Sequence, residues 1–405
     1  MAIVETKKGA FTGQTERRYD LDWLRVVAFG LLISYHVGMF YVTWDWHVKS
    51  VYAGPAVEPL MTIVNPWRLA LLFFISGVAV RFASDKASSI RAFAGSRAYR
   101  LALPILAGAI IIVAPQSYFE LRQASVIEPH YLEFWRNYLK LEQFYSMITP
   151  TWNHLWYVVY LLVYIVLIAP LLPALRRFAE GTGANWLAAA TGGPARLLLL
   201  VIVPFILYKA FLSPIFPTTH DLVNDWANHA HRFTVFMLGY FVAKNPRFWR
   251  SVDKTLPFAA GLVFLIGGGL QYLRSYPVDF HILPFDGPAM IVLHTLYAWS
   301  FIVMLLALAQ RYLNYQSKLL TYLTGAVFCY YILHQTIIVI AGYYLTRLKL
   351  GVWPEFLAVT LATVIGCAAG YEIARRIPFL RPWLGIKNDK ARFTKPRRLV
   401  AALEV

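Results

Sequence analysis

The chain has 405 residues, of which 59% are hydrophobic, 16% aromatic and only 15% charged. A soluble domain carries about a quarter charged residues, so the composition excludes an ordinary cytosolic enzyme and predicts an all-α, polytopic membrane protein. The net charge of +17 fits contact with anionic headgroups of membrane lipids, and no nucleic-acid motif accompanies it.

Ten apolar segments are long enough, or nearly so, to cross a bilayer: 22–43, 60–81, 98–118, 154–175, 196–213, 230–243, 256–273, 288–310, 319–345 and 352–374. The sixth is the shortest. Residues 1–21 are polar with no apolar core, so no cleavable signal peptide is expected there. The chain divides into an N-terminal arm (1–21), a membrane domain (22–374) and a basic C-terminal tail (375–405). Across the alternating loops one side holds 27 Lys and Arg and the other eight. The positive-inside rule then puts both termini in the cytoplasm.

The first segment carries Arg25 and His36. Eleven residues make three helical turns plus roughly 20°, so both side chains share one face, about 16 Å apart. An ionisable group inside a membrane segment costs about 2.5 kcal/mol or more and usually marks a functional path. A core histidine bonded to a carbonyl is the competing reading for His36. Trp44 and Trp46 follow at the outer mouth, Arg97 and Arg100 open the third segment, and His154 and Trp156 open the fourth. Lys209 in the fifth either lines a path or snorkels to the surface. His334 in the ninth lies at the depth of His36, roughly 20 Å from the cytoplasmic side, and all ten histidines fall in the outer half or outer loops. Cys329 and Cys367 are read as packing residues, and the run Gly267 to Gly269 as a close helix contact. No phosphate-binding loop, dinucleotide fingerprint or zinc-protease motif is present.

Several of these elements together resemble the acyltransferase-3 membrane family. They are Arg25-x10-His36, Arg97-Ala-Tyr-Arg100, His154-Leu-Trp-Tyr157, Phe74-Ile-Ser-Gly77 and Tyr331-Ile-Leu-His-Gln335, and the likeness runs from residue 18 to about 375. The stretch Arg17 to Arg25 and Trp44-Asp-Trp-His47 resemble its glucan-modifying branch, similar to succinyltransferases of periplasmic glucans. The resemblance implies an O-acyltransferase of the bacterial inner membrane. It would move an acyl group of the acetyl or succinyl class from cytosolic acyl-CoA, the donor substrate, to glycan hydroxyls outside, with no bound cofactor and no metal.

Acyl transfer needs a base, a donor or cation for the oxyanion, and a grip on the polyanionic donor. His36 is assigned as general base and Arg25 as a catalytic partner steering the donor's arm. Arg97 and Arg100 are assigned to the phosphates of CoA. His154, Trp156, His334, Lys209, Trp44 and Trp46 are assigned to the acceptor side. The competing class is a transporter or flippase for an anionic or lipid-linked glycan. The oligomeric state is open, a homo-oligomer included.

Overall fold

The computed structural model describes residues 17–275 and 287–387, apart from 129, 142 and 145–146. The terminal stretches 1–16 and 388–405, and His281, lie outside the described residues.

Helix α1 (Tyr19–Met39) follows the first apolar run, and Lys49 closes its end by donating to the carbonyls of Met39 (2.8 Å) and Val42 (2.7 Å). A cation on terminal carbonyls satisfies groups that have no partner within the helix. The second run does not form one helix. It breaks into α2 (Glu58–Val64) and α3 (Arg68–Asp85), separated by Asn65, Pro66 and Trp67. Proline lacks an N–H and disfavours a helical residue before it. The break sets Arg68 at the start of α3, deep among other elements.

The third run is longer than its apolar core. Helix α4 (Ile90–Ala107) begins at the Ser89 cap, whose side chain accepts from Ala92 N at 3.1 Å, and passes through a π turn at Gly108–Ile112 into α5 (Ala114–Gln123). Arg97 and Arg100 therefore lie two to three turns inside a helix rather than at its opening. Then come α6 (Tyr131–Tyr138), a strand pair of two residues each, Gln143–Phe144 with Met147–Ile148, and α7 (Trp156–Ile168). Four short helices follow, α8 (Leu172–Glu180), α9 (Thr182–Ala190), α10 (Pro194–Leu199) and α11 (Val203–Leu207), the last running into a second π turn, Tyr208–Leu212. The remainder is α12 (Trp226–Val242), α13 (Pro246–Ser275), α14 (Pro288–Tyr312), α15 (Lys318–Leu345), α16 (Val352–Arg376) and the short α17 (Leu380–Trp383).

Among the described residues nine helical stretches are long and apolar enough to cross a membrane. The expected sixth segment is α12, which at 17 residues falls just short of that length and packs along α3. The protein is all-α and integral to a membrane. Two ends of the bundle are distinguished below: the near face, holding Tyr19 and Arg376, and the far face opposite.

Two glycines set the α3–α12 crossing. A Cβ on Gly77 would lie 1.9 Å from the Phe236 carbonyl oxygen, and one on Gly239 would lie 2.2 Å from that of Phe74. The backbones touch at both points. Of the triple-glycine run only Gly267 is closely packed, since a Cβ there would lie 2.8 Å from the Tyr297 ring, while Gly268 and Gly269 face open space. Cys329 and Cys367 are buried and free, as packing residues. At the near face Asp85 gathers Arg81 (3.2 Å), Arg176 (3.1 Å) and Lys244 (2.5 Å), tying α3, α8 and the end of α12 together.

Candidate active site

His36 sits one turn from the end of α1 and meets α15, against which α1 packs. Its Nδ1 lies 2.8 Å from His334 Nε2, and His334 Nδ1 lies 2.6 Å from the carbonyl oxygen of Tyr331. These two contacts fix the protons. A carbonyl only accepts, so His334 Nδ1 carries hydrogen and its Nε2 is the lone pair. His36 must then donate through Nδ1, which leaves Nε2 of His36 as a basic lone pair without a protein partner among the described residues. The two rings stack with centroids 5.0 Å apart, and His334 is fully buried.

The half-buried His36 faces a cavity of about 620 Å³ toward the far face, walled by Tyr35, Arg68, Trp152, Trp156 and Tyr157 among others. Arg68 is the group the sequence reading passed over. It is 7% exposed, its guanidinium lies 3.3 Å from the Tyr35 ring centre, and Nη1 donates to Asn65 Oδ1 at 2.6 Å. Its Nε has no partner and no carboxylate lies within ion-pair distance among the described residues. A buried cation left uncompensated is costly, and this one acts electrostatically on His36. Its only sequence signal is an Arg inside an apolar segment straight after Asn-Pro-Trp.

Behind the histidine pair lies a polar network closed on itself. His154 Nε2 bonds the Ile332 carbonyl at 3.1 Å, and its Nδ1 faces Gln116 Nε2 at 3.3 Å. Gln116 also bonds Thr336 (2.7 Å) and accepts from Gln335 (3.0 Å) and Asn153 (3.0 Å). Gln335 reaches His47 Nε2 at 2.9 Å, and His47 is tied in turn to Glu120. His154 thus lines the cavity with both nitrogens engaged by protein, which suits a wall rather than a base. Buried polar networks satisfied in this way rigidify their surroundings. Gln116 carries no sequence signal, and His47 enters the sequence reading only as the end of Trp44-Asp-Trp-His47, because the partners of both come from distant parts of the chain.

The remaining candidates separate. Trp46 and Trp156 line the cavity; Trp156 stacks on His220 at 4.3 Å, and Trp152 donates to the His220 carbonyl at 3.1 Å. Burial holds the His220 imidazole, in the loop before α12, below its ordinary range. Trp44 packs instead with Tyr35, Val42 and Met61, and Lys209 faces a separate cavity. Arg25 lies at the near face, 3.9 Å from Asp22, with Arg97 and Lys387 in electrostatic range of it and Arg100 in range of those two. Between Arg25 and His36 on one stripe stand Phe29 and Leu32, both buried, with Phe29 packed edge-on against Tyr157 and Tyr331.

A family model described as an acyltransferase domain, that of the acyltransferase-3 family, matches residues 18–372. The chain belongs to the acyltransferase-3 family. It is similar to glucans biosynthesis protein C of Escherichia coli O1:K1, at 22% identity over 396 residues, covering 93% of this chain and 98% of that protein. It is also 23% identical to the protein of that name from strain UMN026, with the same coverage. No solved structure matches the chain. As an acyltransferase-3 protein it is a membrane O-acyltransferase.

Proposed function

We propose that the protein transfers an acyl group, of the acetyl or succinyl class, from cytosolic acyl-CoA to a glycan hydroxyl across a bacterial inner membrane. The near face is then cytoplasmic and the far face external. The observation that carries the reading is the relay from the Tyr331 carbonyl through His334 to His36, which leaves one lone pair aimed into a cavity. A glucan is the acceptor favoured by the names of the relatives.

In the reaction, His36 Nε2 takes the proton of the acceptor hydroxyl as its oxygen attacks the thioester carbonyl carbon. Charge gathers on the carbonyl oxygen, and Arg68, buried nearby with an unpaired Nε, is the cation placed to meet it. Collapse of the intermediate breaks the carbon–sulfur bond, and the departing thiolate of CoA recovers the proton from His36. His334 holds the His36 tautomer, much as a carboxylate orients the histidine of a hydrolase triad. Trp46, Trp152 and Trp156 offer faces for sugar rings.

Phosphates cannot cheaply enter the bilayer interior, so the nucleotide stays with Arg97, Arg100, Arg25 and Lys387. Only the flexible arm of CoA advances, over about 16 Å of helix rise from Arg25 to His36. The rings of Phe29, Tyr157 and Tyr331 fill that stripe and part to admit it. The direct test is to incubate purified protein with radiolabelled acyl-CoA and candidate glucans and to look for an alkali-labile product. A transporter gives none.

Two outcomes bear on sidedness. A reporter inserted near Glu180 should read as cytoplasmic and one near Glu128 as external; the reverse would exchange donor and acceptor sides. In sealed right-side-out vesicles, product should appear only with acyl-CoA inside and glycan outside. Arg97→Ala with Arg100→Ala should raise the KM for acyl-CoA at least tenfold at low salt, with the difference from wild type narrowing as salt screens the lost charges, and with little change for the glycan. Product from external acyl-CoA at an equal rate would overturn the transmembrane route.

A further inference from the structure

A second cavity, larger than the one at His36, lies beside it. It measures about 1030 Å³, lies toward the far face between α12, α14 and the π turn Tyr208–Leu212, and shares Asn65, Thr218 and Arg232 with the His36 cavity. Its polar end carries Lys209, Arg232 and Arg274, and among the described residues no Asp or Glu lines it. Among the described residues none of the three cations makes an ion pair. Two carboxylates in electrostatic range, Glu58 of Arg274 and Asp225 of Arg232, are already hydrogen-bonded by other groups. Glu58, in electrostatic range of Arg274, is held by the Thr43 backbone N–H (3.0 Å) and hydroxyl; Asp225 takes Tyr160 (2.6 Å) and Asn228 (2.8 Å). Arg232 itself reaches only neutral partners, Asn228 Oδ1 at 2.9 Å and His231 Nδ1 at 3.4 Å.

Away from the cations the lining turns apolar, through Phe205, Val235, Ala298, Trp299 and Ile302, along α14 toward the middle of the bundle. Lys209 and Val292 are exposed where they line it, so the mouth opens sideways between the π turn and α14, where a helix bundle meets acyl chains. The π turn is itself a departure from regular helix that recurs at functional sites. Three cations without an ion pair among the described residues, above an apolar slot with a lateral mouth, match one kind of molecule. We propose that this chamber binds an anionic glycerophospholipid, its phosphate between Lys209, Arg232 and Arg274 and one acyl chain in the slot ending at Trp299. The fit is charge and hydrophobic complementarity together: a free phosphate leaves the slot empty, and a soluble glycan places hydroxyls against apolar walls.

The test uses the full chain in nanodiscs of phosphatidylcholine with added phosphatidylglycerol brominated on its acyl chains, read by tryptophan fluorescence. A saturable quenching component should appear and should vanish in Trp299→Phe. Lys209→Gln with Arg274→Gln, both at the exposed rim, should weaken that component about tenfold or more while leaving the thermal unfolding midpoint unchanged. Brominated phosphatidylcholine should give no such component. Equal quenching by the zwitterionic lipid, or an unchanged affinity in the double variant, would overturn the proposal. So would relief of quenching by inorganic phosphate, which reassigns the site to a soluble anion, or by a soluble glucan oligosaccharide, which reassigns it to the acceptor. None of these readouts depends on acyl transfer, so failure here is distinct from failure of the assigned reaction.

Discussion

His36→Gln abolishes acyl transfer while the protein accumulates in the membrane at its normal level. Glutamine keeps most of the volume and can still donate to His334 Nε2, so the contact across α1 and α15 survives. What it lacks is the second, basic nitrogen. A general base contributes about 10²–10⁴ in rate, so the loss should fall in kcat and kcat/KM alike, with acyl-CoA binding intact. His334→Gln makes a different prediction. It can accept from His36 through its amide oxygen but no longer links His36 to the Tyr331 carbonyl through one rigid ring. Its cost should be smaller, on the order of tenfold to a hundredfold, as for an orienting rather than a proton-accepting group. The double variant should be no worse than His36→Gln alone, since the second residue acts through the first. A His36→Gln protein that kept most of its activity would remove the base from the mechanism and return the transporter to first place.

The helices and the shared face of Arg25 and His36 were legible because they rest on periodicity. Arg25 and His36 share a face of one helix, and that geometry needs no partner. The depth of His334 was also readable by counting rise, but its contact with His36 was not, since nothing in one chain's periodicity states which helices are neighbours. Arg68 was overlooked for a related reason. The apolar run 60–81 reads as one span, and only the break around Pro66 turns Arg68 into a group at a helix start that faces a cavity. His154 was assigned to the acceptor side from its place at the opening of the fourth segment; its two nitrogens are taken by the Ile332 carbonyl and Gln116, which lie far away in sequence. Lys209 and Trp44 share the depth of the site without sharing its cavity, because depth is one coordinate of three.

Gly77→Ala and Gly239→Ala should each cost the protein its fold in detergent, where Gly268→Ala and Gly269→Ala should not. All four glycines lie in helices, where alanine is intrinsically favoured by about 1 kcal/mol, so propensity alone predicts four stabilising changes. Packing divides them. At Gly77 and Gly239 the added carbon meets backbone carbonyl oxygen at 1.9 and 2.2 Å, and a backbone cannot rotate away as a side chain can. Helices α3 and α12 must separate by more than an ångström, breaking contact along a seam that includes the buried Phe74 and Phe236. Overpacking of this kind costs about 3 kcal/mol or more, a large part of the stability of any single domain. At Gly268 and Gly269 nothing lies within 4 Å. The measurement is thermal stability of detergent-purified protein by fluorescence-detected gel filtration, with the monodisperse peak lost at lower temperature for the first pair only. The crossing also sets the site. Helix α3 carries Arg68, and Ser76 bonded to Tyr157 at 2.6 Å, while α12 carries Arg232 on the shared wall of both cavities. Any Gly77→Ala protein that survives should therefore show a lowered kcat at unchanged near-face donor binding. Wild-type stability and activity in both glycine variants would show that α3 and α12 do not meet backbone to backbone, and the position of Arg68 relative to His36 would lose its support.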